Sequence, residues 1–348
     1  MATTTVTETT RATNGNGAGN GKGPEAAEAK PYKGKEHKWA ITKEPLFNHR
    51  PGMSNIHTIL AISAVVLFNK SEYGKQWWAR LNENYTPFEI NAWGSVLITF
   101  PIYFGFGLVF MAFDMIPALN RLVKPYRIQP TPIIPLKEYL YVIYINLRNW
   151  VFVNTPLYIA IAYFYPLKTD VASLPGWGVS FGTFLFAMLC EEVGFFYVHR
   201  FFHGKRWYAY VHKLHHQYTA PVALAAEYCT MVEHLLSNLF PLVISFIILK
   251  SHWSMFMLFF NMLQFDTLAA HSDYNIPFLA DALVHDWHHY SYTENYGPFG
   301  LLDALHGHSI KYKEWLGEIQ RRDNEDPDWR FKARRELAKR TPAVVPLE

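Results

Sequence analysis

The chain has 348 residues, enough for one large domain or two, and a formal net charge of only +3, which excludes the concentrated basic surface of a nucleic-acid-binding protein. Half of its residues are hydrophobic and 17% are aromatic, while 18% are charged. Its two cysteines, Cys190 and Cys229, exclude a disulfide framework and a CxxC site, so any metal must be held by nitrogen and oxygen.

Residues 1–37 are rich in Thr, Asn and Gly and show no apolar periodicity, which predicts a disordered tail. They hold no apolar core of a signal peptide, and Arg11 with Glu8 makes a weak transit peptide. A membrane domain is expected over 38–310. A spanning helix takes about 20 predominantly apolar residues. Residues 92–113, 141–165 and 176–198 meet this, although the second encloses Asn146, Arg148 and Asn149 and the third is apolar only as far as Glu191–Glu192. Residues 56–69 are short and cross only with their flanks. Residues 234–270 are broken by Lys250-Ser251-His252-Trp253. Each half is slightly short for a crossing at 1.5 Å per residue, which predicts a helical hairpin that enters and returns on one side. Residues 311–348 read as a charged C-terminal tail. The fold class expected is all-α, a multi-pass integral membrane helix bundle.

Lys and Arg concentrate on the cytosolic side of membrane proteins. The connections 117–140 and 199–230 and the C-terminal region are the basic ones, and they fall on one side if each of the first four segments crosses once. Lys70, Lys75 and Arg80, in the loop over 70–91, go against this pattern. The same count brings every histidine cluster out on the cytosolic face.

Those clusters carry the chemistry. HRFFH holds His199 and His203; HKLHH holds His212, His215 and His216; HDWHH holds His285, His288 and His289; His271 stands in AAHSDYNIP. Helix positions i, i+3 and i+4 share a face, so each cluster aims its imidazoles one way. Nine imidazoles exceed the needs of one zinc ion and suit two metal ions with four or five nitrogens each. The Glu and Glu-x-x-His pattern of carboxylate-bridged di-iron bundles is absent. An all-nitrogen pair of irons beside membrane helices points to an oxygenase acting on lipid. A titrating scaffold does not require repeated HxxHH boxes, and a zinc hydrolase needs an HExxH-type base that is missing.

The ordered motifs EEVGFFYVHRFFH, HKLHHQYTAPVALAAEY, HSDYNIP and HDWHH resemble the fatty acid hydroxylase / sterol desaturase superfamily, most closely its C-4 methylsterol monooxygenase branch, over roughly residues 120–310. The resemblance implies a histidine-rich di-iron cap facing the cytosol, with His199, His203, His212, His215, His216, His271, His285, His288 and His289 as the metal ligands. It implies a non-haem monooxygenase that hydroxylates a lipid, a sterol C-4 methyl group first, or else a fatty-acyl or sphingoid base, or a sterol desaturase. It also implies two Fe ions, molecular oxygen, electrons from NAD(P)H through a b-type cytochrome and its reductase, and residence in the endoplasmic reticulum membrane. No catalytic side chain beyond the ligands is expected. Two positions depart from the family: Thr230 stands where a histidine is frequent, with Met231 for a proline, and Gly194-Phe195 stands for a Trp-His pair.

Other residues carry smaller expectations. Glu191, Glu192 and Glu233 are candidates to orient imidazole N–H groups. His234 reads as a ligand or a hydrogen-bonded neighbour, and His306 and His308 as surface groups or neighbours of the site. Asp286 is expected to point outward. Phe195, Phe196, Tyr197, Phe201 and Phe202 read as packing residues, with a tunnel wall as the alternative.

Overall fold

The computed structural model describes residues 56–129, 133–277, 279–329 and 332–333; the expected tail over 1–37 and most of the far C-terminus lie outside these. The described residues are helical and contain no strand. In chain order come α1 (Ile56–Lys70), α2 (Glu72–Asn84), α3 (Pro87–Met115), α4 (Pro117–Val123) and α5, a helical run over 136–164. Then follow α6 (Trp177–Phe202), α7 (Met231–Leu249), α8 (Trp253–Ala270), α9 (Ala282–Ser291), α10 (Leu301–His306) and α11 (Ile310–Glu325). Local signals set the starts. Thr86 and Glu89 form a reciprocal capping box before α3, and Ser71, Thr230 and Asp281 cap α2, α7 and α9.

Three helices, α3, α6 and α7, are long and apolar enough to cross a membrane. Their outer faces stay apolar: Leu97 is 73% exposed and Leu185 is 64% exposed. In water such side chains forfeit about 25 cal/mol per Å² left uncovered, a loss that lipid removes. The protein is a membrane helix bundle.

The expected crossing over 141–165 is helical, but its polar residues turn inward for a reason the hydropathy pattern does not carry. Asn146 Nδ2 donates to Leu224 O at 2.7 Å, Asn149 Nδ2 to Glu227 O at 3.0 Å, and an Arg148 Nη2 donates to Cys229 O at 2.7 Å. These carbonyls belong to the segment 219–230, buried from 219 to 229 and mostly non-helical. Irregular backbone inside a membrane bundle must find such partners within the protein.

The hairpin over 234–270 forms, with Lys250 in the left-handed region at its turn (φ 46°). Its first arm is longer than expected, however. The first begins at Met231 and is itself long enough to span, and the turn reaches the opposite end of the bundle. There Lys168 N donates to Ser251 O at 3.1 Å and Trp253 N to Lys168 O at 2.8 Å. Asn69 Nδ2 donates to Ser254 Oγ at 3.2 Å, Asn82 Nδ2 to Thr169 O at 2.8 Å, and Asn91 and Leu167 exchange two bonds of 3.0 Å. The 70–91 and 166–175 loops and the hairpin turn therefore share one end. Helices α6 and α8 both run from that end to the histidines.

At the histidine end, a buried pair fixes the HSDYNIP loop: Arg127 Nε donates to Asp273 Oδ2 at 3.0 Å and Gln129 N to Asp273 Oδ1 at 2.8 Å. Tyr274 OH donates to Asp114 Oδ1 at 2.6 Å, and Tyr139 OH donates to the same carboxylate. Helix α11 packs on α9, with Trp315 stacked on Trp287 at 5.1 Å.

Candidate metal centre

The end of α6 supplies His199 and the turn after it His203. A π-helical turn over Tyr208–His212 carries His212, and a 3-10 turn over His215–Gln217 carries His215 and His216. His271 closes α8, and α9 presents His285, His288 and His289. All nine residues singled out by spacing come together in two groups. His199, His203, His212, His216 and His288 place their ligand nitrogens within 4.8 Å of one another, and His215, His271, His285 and His289 do the same.

In the first group, Nε2 of His212 lies 3.0 Å from that of His199 and 2.9 Å from that of His203, while His288 Nε2 is 3.2 Å from both His203 and His216. In the second, His271 Nε2 is 2.8 Å from His285 Nε2 and 3.3 Å from His215 Nε2, and His285 is 3.0 Å from His289. The outer nitrogens say which atom carries the proton. His199 Nδ1 faces Tyr296 O at 2.7 Å, His288 Nδ1 faces Glu294 O at 2.7 Å, His271 Nδ1 faces Thr267 O at 2.8 Å and His289 Nδ1 faces Tyr218 O at 3.0 Å. A carbonyl only accepts, so each Nδ1 donates and each Nε2 keeps a bare lone pair. The Glu233 carboxylate does the same for His212 Nδ1 at 2.6 Å.

Lone pairs facing each other at 3.0 Å, as on His199 and His212, repel unless a cation lies between them. Ligands at right angles on a metal with metal–nitrogen bonds of about 2.1 Å stand about 3.0 Å apart. The observed spacing fits that arrangement. Burial, then neighbouring imidazoles, holds His212, His216, His285 and His289 well below the ordinary imidazole range, and burial also depresses His288 and brings His271 to about 4. The neutral form, which is the ligating one, therefore prevails at pH 7. An all-imidazole donor set suits iron, copper, nickel and zinc.

Several smaller expectations resolve. Glu233 orients an imidazole; Glu191 touches none, and Glu192 instead accepts Phe299 N at 2.9 Å and Leu302 N at 2.7 Å, holding the start of α10. Asp286, expected outside, is fully buried and accepts Gln129 Nε2 at 2.6 Å, because α9 is covered on that side as well. His234 lies in neither group; its Nε2 meets Asn154 Oδ1 at 2.6 Å. His306 meets Tyr197 OH at 3.1 Å and stacks on Phe196, outside both groups. Of the aromatics around HRFFH, Phe195 faces the adjoining cavity, Phe196 and Phe202 are buried, and Tyr197 and Phe201 are exposed.

That cavity, of about 570 Å³, runs from the histidines between α6, α7 and α8. Its α6 wall is Phe184, Met188, Glu191, Phe195 and His199, one face at helical spacing. Its volume lies within the range of small-molecule sites. Glu227 and Gln264, which sequence reasoning passed over, also line it. Burial pushes the Glu227 carboxyl up to about 8 although Trp150 Nε1 donates to it at 2.8 Å.

Comparison with known proteins places these residues in company. A family model described as fatty acid hydroxylase matches residues 184–308. The protein named fatty acid hydroxylase ahd1 of Mycosarcoma maydis is 38% identical over 264 residues, covering 74% of this chain and 68% of its own length. Fatty acid hydroxylase domain-containing protein 2 of Homo sapiens is 28% identical over 257 residues, 69% and 75% of the two chains. Methylsterol monooxygenase 1 of Rattus norvegicus is 28% identical over 259 residues, 71% and 87% of the two. No solved structure matches.

Proposed function

The chain belongs to the fatty acid hydroxylase family, and on that premise we propose that it is a membrane-embedded, non-haem di-iron monooxygenase that hydroxylates an unactivated C–H bond of a lipid. The observation that carries this is the pair of all-imidazole groups, inner nitrogens facing one another and five of the outer ones held by acceptors, opening on one cavity among apolar helices. His199, His203, His212, His216 and His288 hold one iron, and His215, His271, His285 and His289 the other. When bound, the two irons supply the joint reduction of dioxygen to an oxidant strong enough for such a bond. The protein's own residues hold geometry. Four carbonyls and Glu233 fix the imidazole tautomers, and Phe195, Met188, Leu242, Phe259 and Leu263 keep water from the reacting carbon.

The electrons come from NAD(P)H through a b-type cytochrome and its reductase, docking on the cytosolic face where Lys205, Arg206 and Lys213 are exposed. The endoplasmic reticulum is the membrane that goes with those partners. The catalytic domain is 38–310, and the charged segment that follows it begins with α11, packed on α9. A sterol C-4 methyl group is the first substrate reading, supported by relatives named methylsterol monooxygenase. A fatty-acyl or sphingoid chain is the second, supported by the 38% identity to a protein named fatty acid hydroxylase.

Lipid profiling tests both. Cells lacking the gene are compared with cells carrying the wild type or His288→Ala. Accumulation of 4-methylsterols in the deletion and the variant supports the first reading, and accumulation of unhydroxylated acyl or sphingoid lipids supports the second. Identical lipids in all three strains, with the protein expressed, contradict the enzyme reading.

A further inference from the structure

Two helical turns from the histidines, the cavity wall carries polar side chains that hold no imidazole. Gln264, 4% exposed, stands on α8 beside Phe260 and Leu263 with its amide N–H toward the Glu227 carboxyl, and its Oε1 meets no hydrogen-bonding partner. Glu191 on α6 is 2% exposed, and its Oε2 is also without a partner. Buried amide and carboxyl oxygens left this way are costly and rare, and an active site is where such a cost persists.

The two stand at one height. Phe184 of α6 meets Phe259 of α8 with ring centroids 5.0 Å apart, which sets the register of the helices. Glu191 lies seven residues past Phe184 and Gln264 five past Phe259, so they differ by about 3 Å along the bundle at 1.5 Å per residue. From this level, His199 is eight residues on and His271 seven, roughly 10–12 Å by the same rise.

We propose that Gln264 and Glu191 form a hydroxyl-binding subsite that anchors the neutral polar group of a lipid and presents a carbon about 10 Å away to the histidines. A hydroxyl donates and accepts, matching the amide of Gln264 and the open oxygen of Glu191. A carboxylate does not match, because it has no hydrogen to donate to the open oxygens of Gln264 and Glu191. The subsite rests on the reading of the cavity as a lipid site, and not on iron. A sterol oxidised at C-4 bears its hydroxyl on the neighbouring carbon and cannot reach both places, so the subsite favours the second substrate reading: a lipid oxidised far from its hydroxyl.

The test is equilibrium binding of labelled dodecanol, dodecanoate and dodecane to the full-length protein in nanodiscs, with empty nanodiscs subtracted. The wild type binds dodecanol more tightly than dodecanoate. In Gln264→Leu, dodecanol affinity falls about tenfold or more, which is about 1.4 kcal/mol. Dodecane affinity holds in the same variant. Glu191→Met gives the same contrast if Gln264→Leu fails to fold. Unchanged dodecanol affinity in both variants overturns the proposal. So does a joint loss of dodecanol, dodecane and melting temperature, which marks a purely structural role, or wild-type preference for dodecanoate. A protein that shows the expected binding contrast yet hydroxylates nothing leaves the subsite standing and sinks the enzyme reading alone.

Discussion

Glu233 does for His212 what four backbone carbonyls do for other imidazoles, and Thr230 explains how it is held. The Thr230 hydroxyl accepts from Glu233 N at 3.3 Å and donates to Val211 O at 3.0 Å, tying the start of α7 to the residue before His212. Thr230 thus serves as the helix cap at the start of α7. Glu233→Gln keeps the shape and weakens the acceptor that supports the Nδ1 proton. Metal affinity is expected to fall about 10–100-fold, measured by competition with a chelator; an unchanged affinity contradicts the assigned role. The nine histidines were legible because HxxHH and HxxxH spacings leave few other uses for so many imidazoles. Their backbone partners, Tyr218, Thr267, Glu294 and Tyr296, were not, since any residue type offers a carbonyl. Glu192 and Asp286 misled for a related reason: a carboxylate that shares a motif with a histidine points elsewhere once the helix is packed on several sides.

At the scale of elements, hydropathy marks helices well and their junctions poorly. The apolar stretches behind α3 and α6 were plain, and the Lys250 break announced the hairpin. The helical run α5 was also visible, but the purpose of Asn146, Arg148 and Asn149 depends on a buried segment some 80 residues later that no local pattern pairs with them. The contact between α6 and α7 rests on a similar hidden match. A Cβ on Gly194 would stand 2.6 Å from the Pro241 Cβ, and the proline ring has little freedom to yield. Gly194→Ala is therefore expected to cost about 1–3 kcal/mol, read as a lower melting temperature in detergent. A melting temperature equal to the wild type's contradicts this packing account. Because α6 carries His199 and α7 carries Glu233, the same variant should also loosen the first histidine group.

At the scale of the molecule, the bundle separates two ends, and the proposed chemistry needs them on opposite faces of a membrane. Asn69 and Asn84 both lie in acceptor sequons at the end away from the histidines. Asn69 is buried, bonded to Ser254 and receiving Trp78 Nε1 at 2.9 Å, whereas Asn84 is exposed. Glycosylation is expected at Asn84 and not at Asn69, while a cysteine in place of exposed Lys213 labels only from the cytosolic side. Labelling of that cysteine from the lumen contradicts the orientation. The central claim, two irons in two imidazole groups, is tested most directly by the metal content of the full-length protein purified in mild detergent from iron-replete cells. The account predicts about two irons per chain in the wild type, with a marked loss in His288→Ala. Wild-type protein that is folded and active toward its lipid, yet carries one metal ion or none, contradicts it.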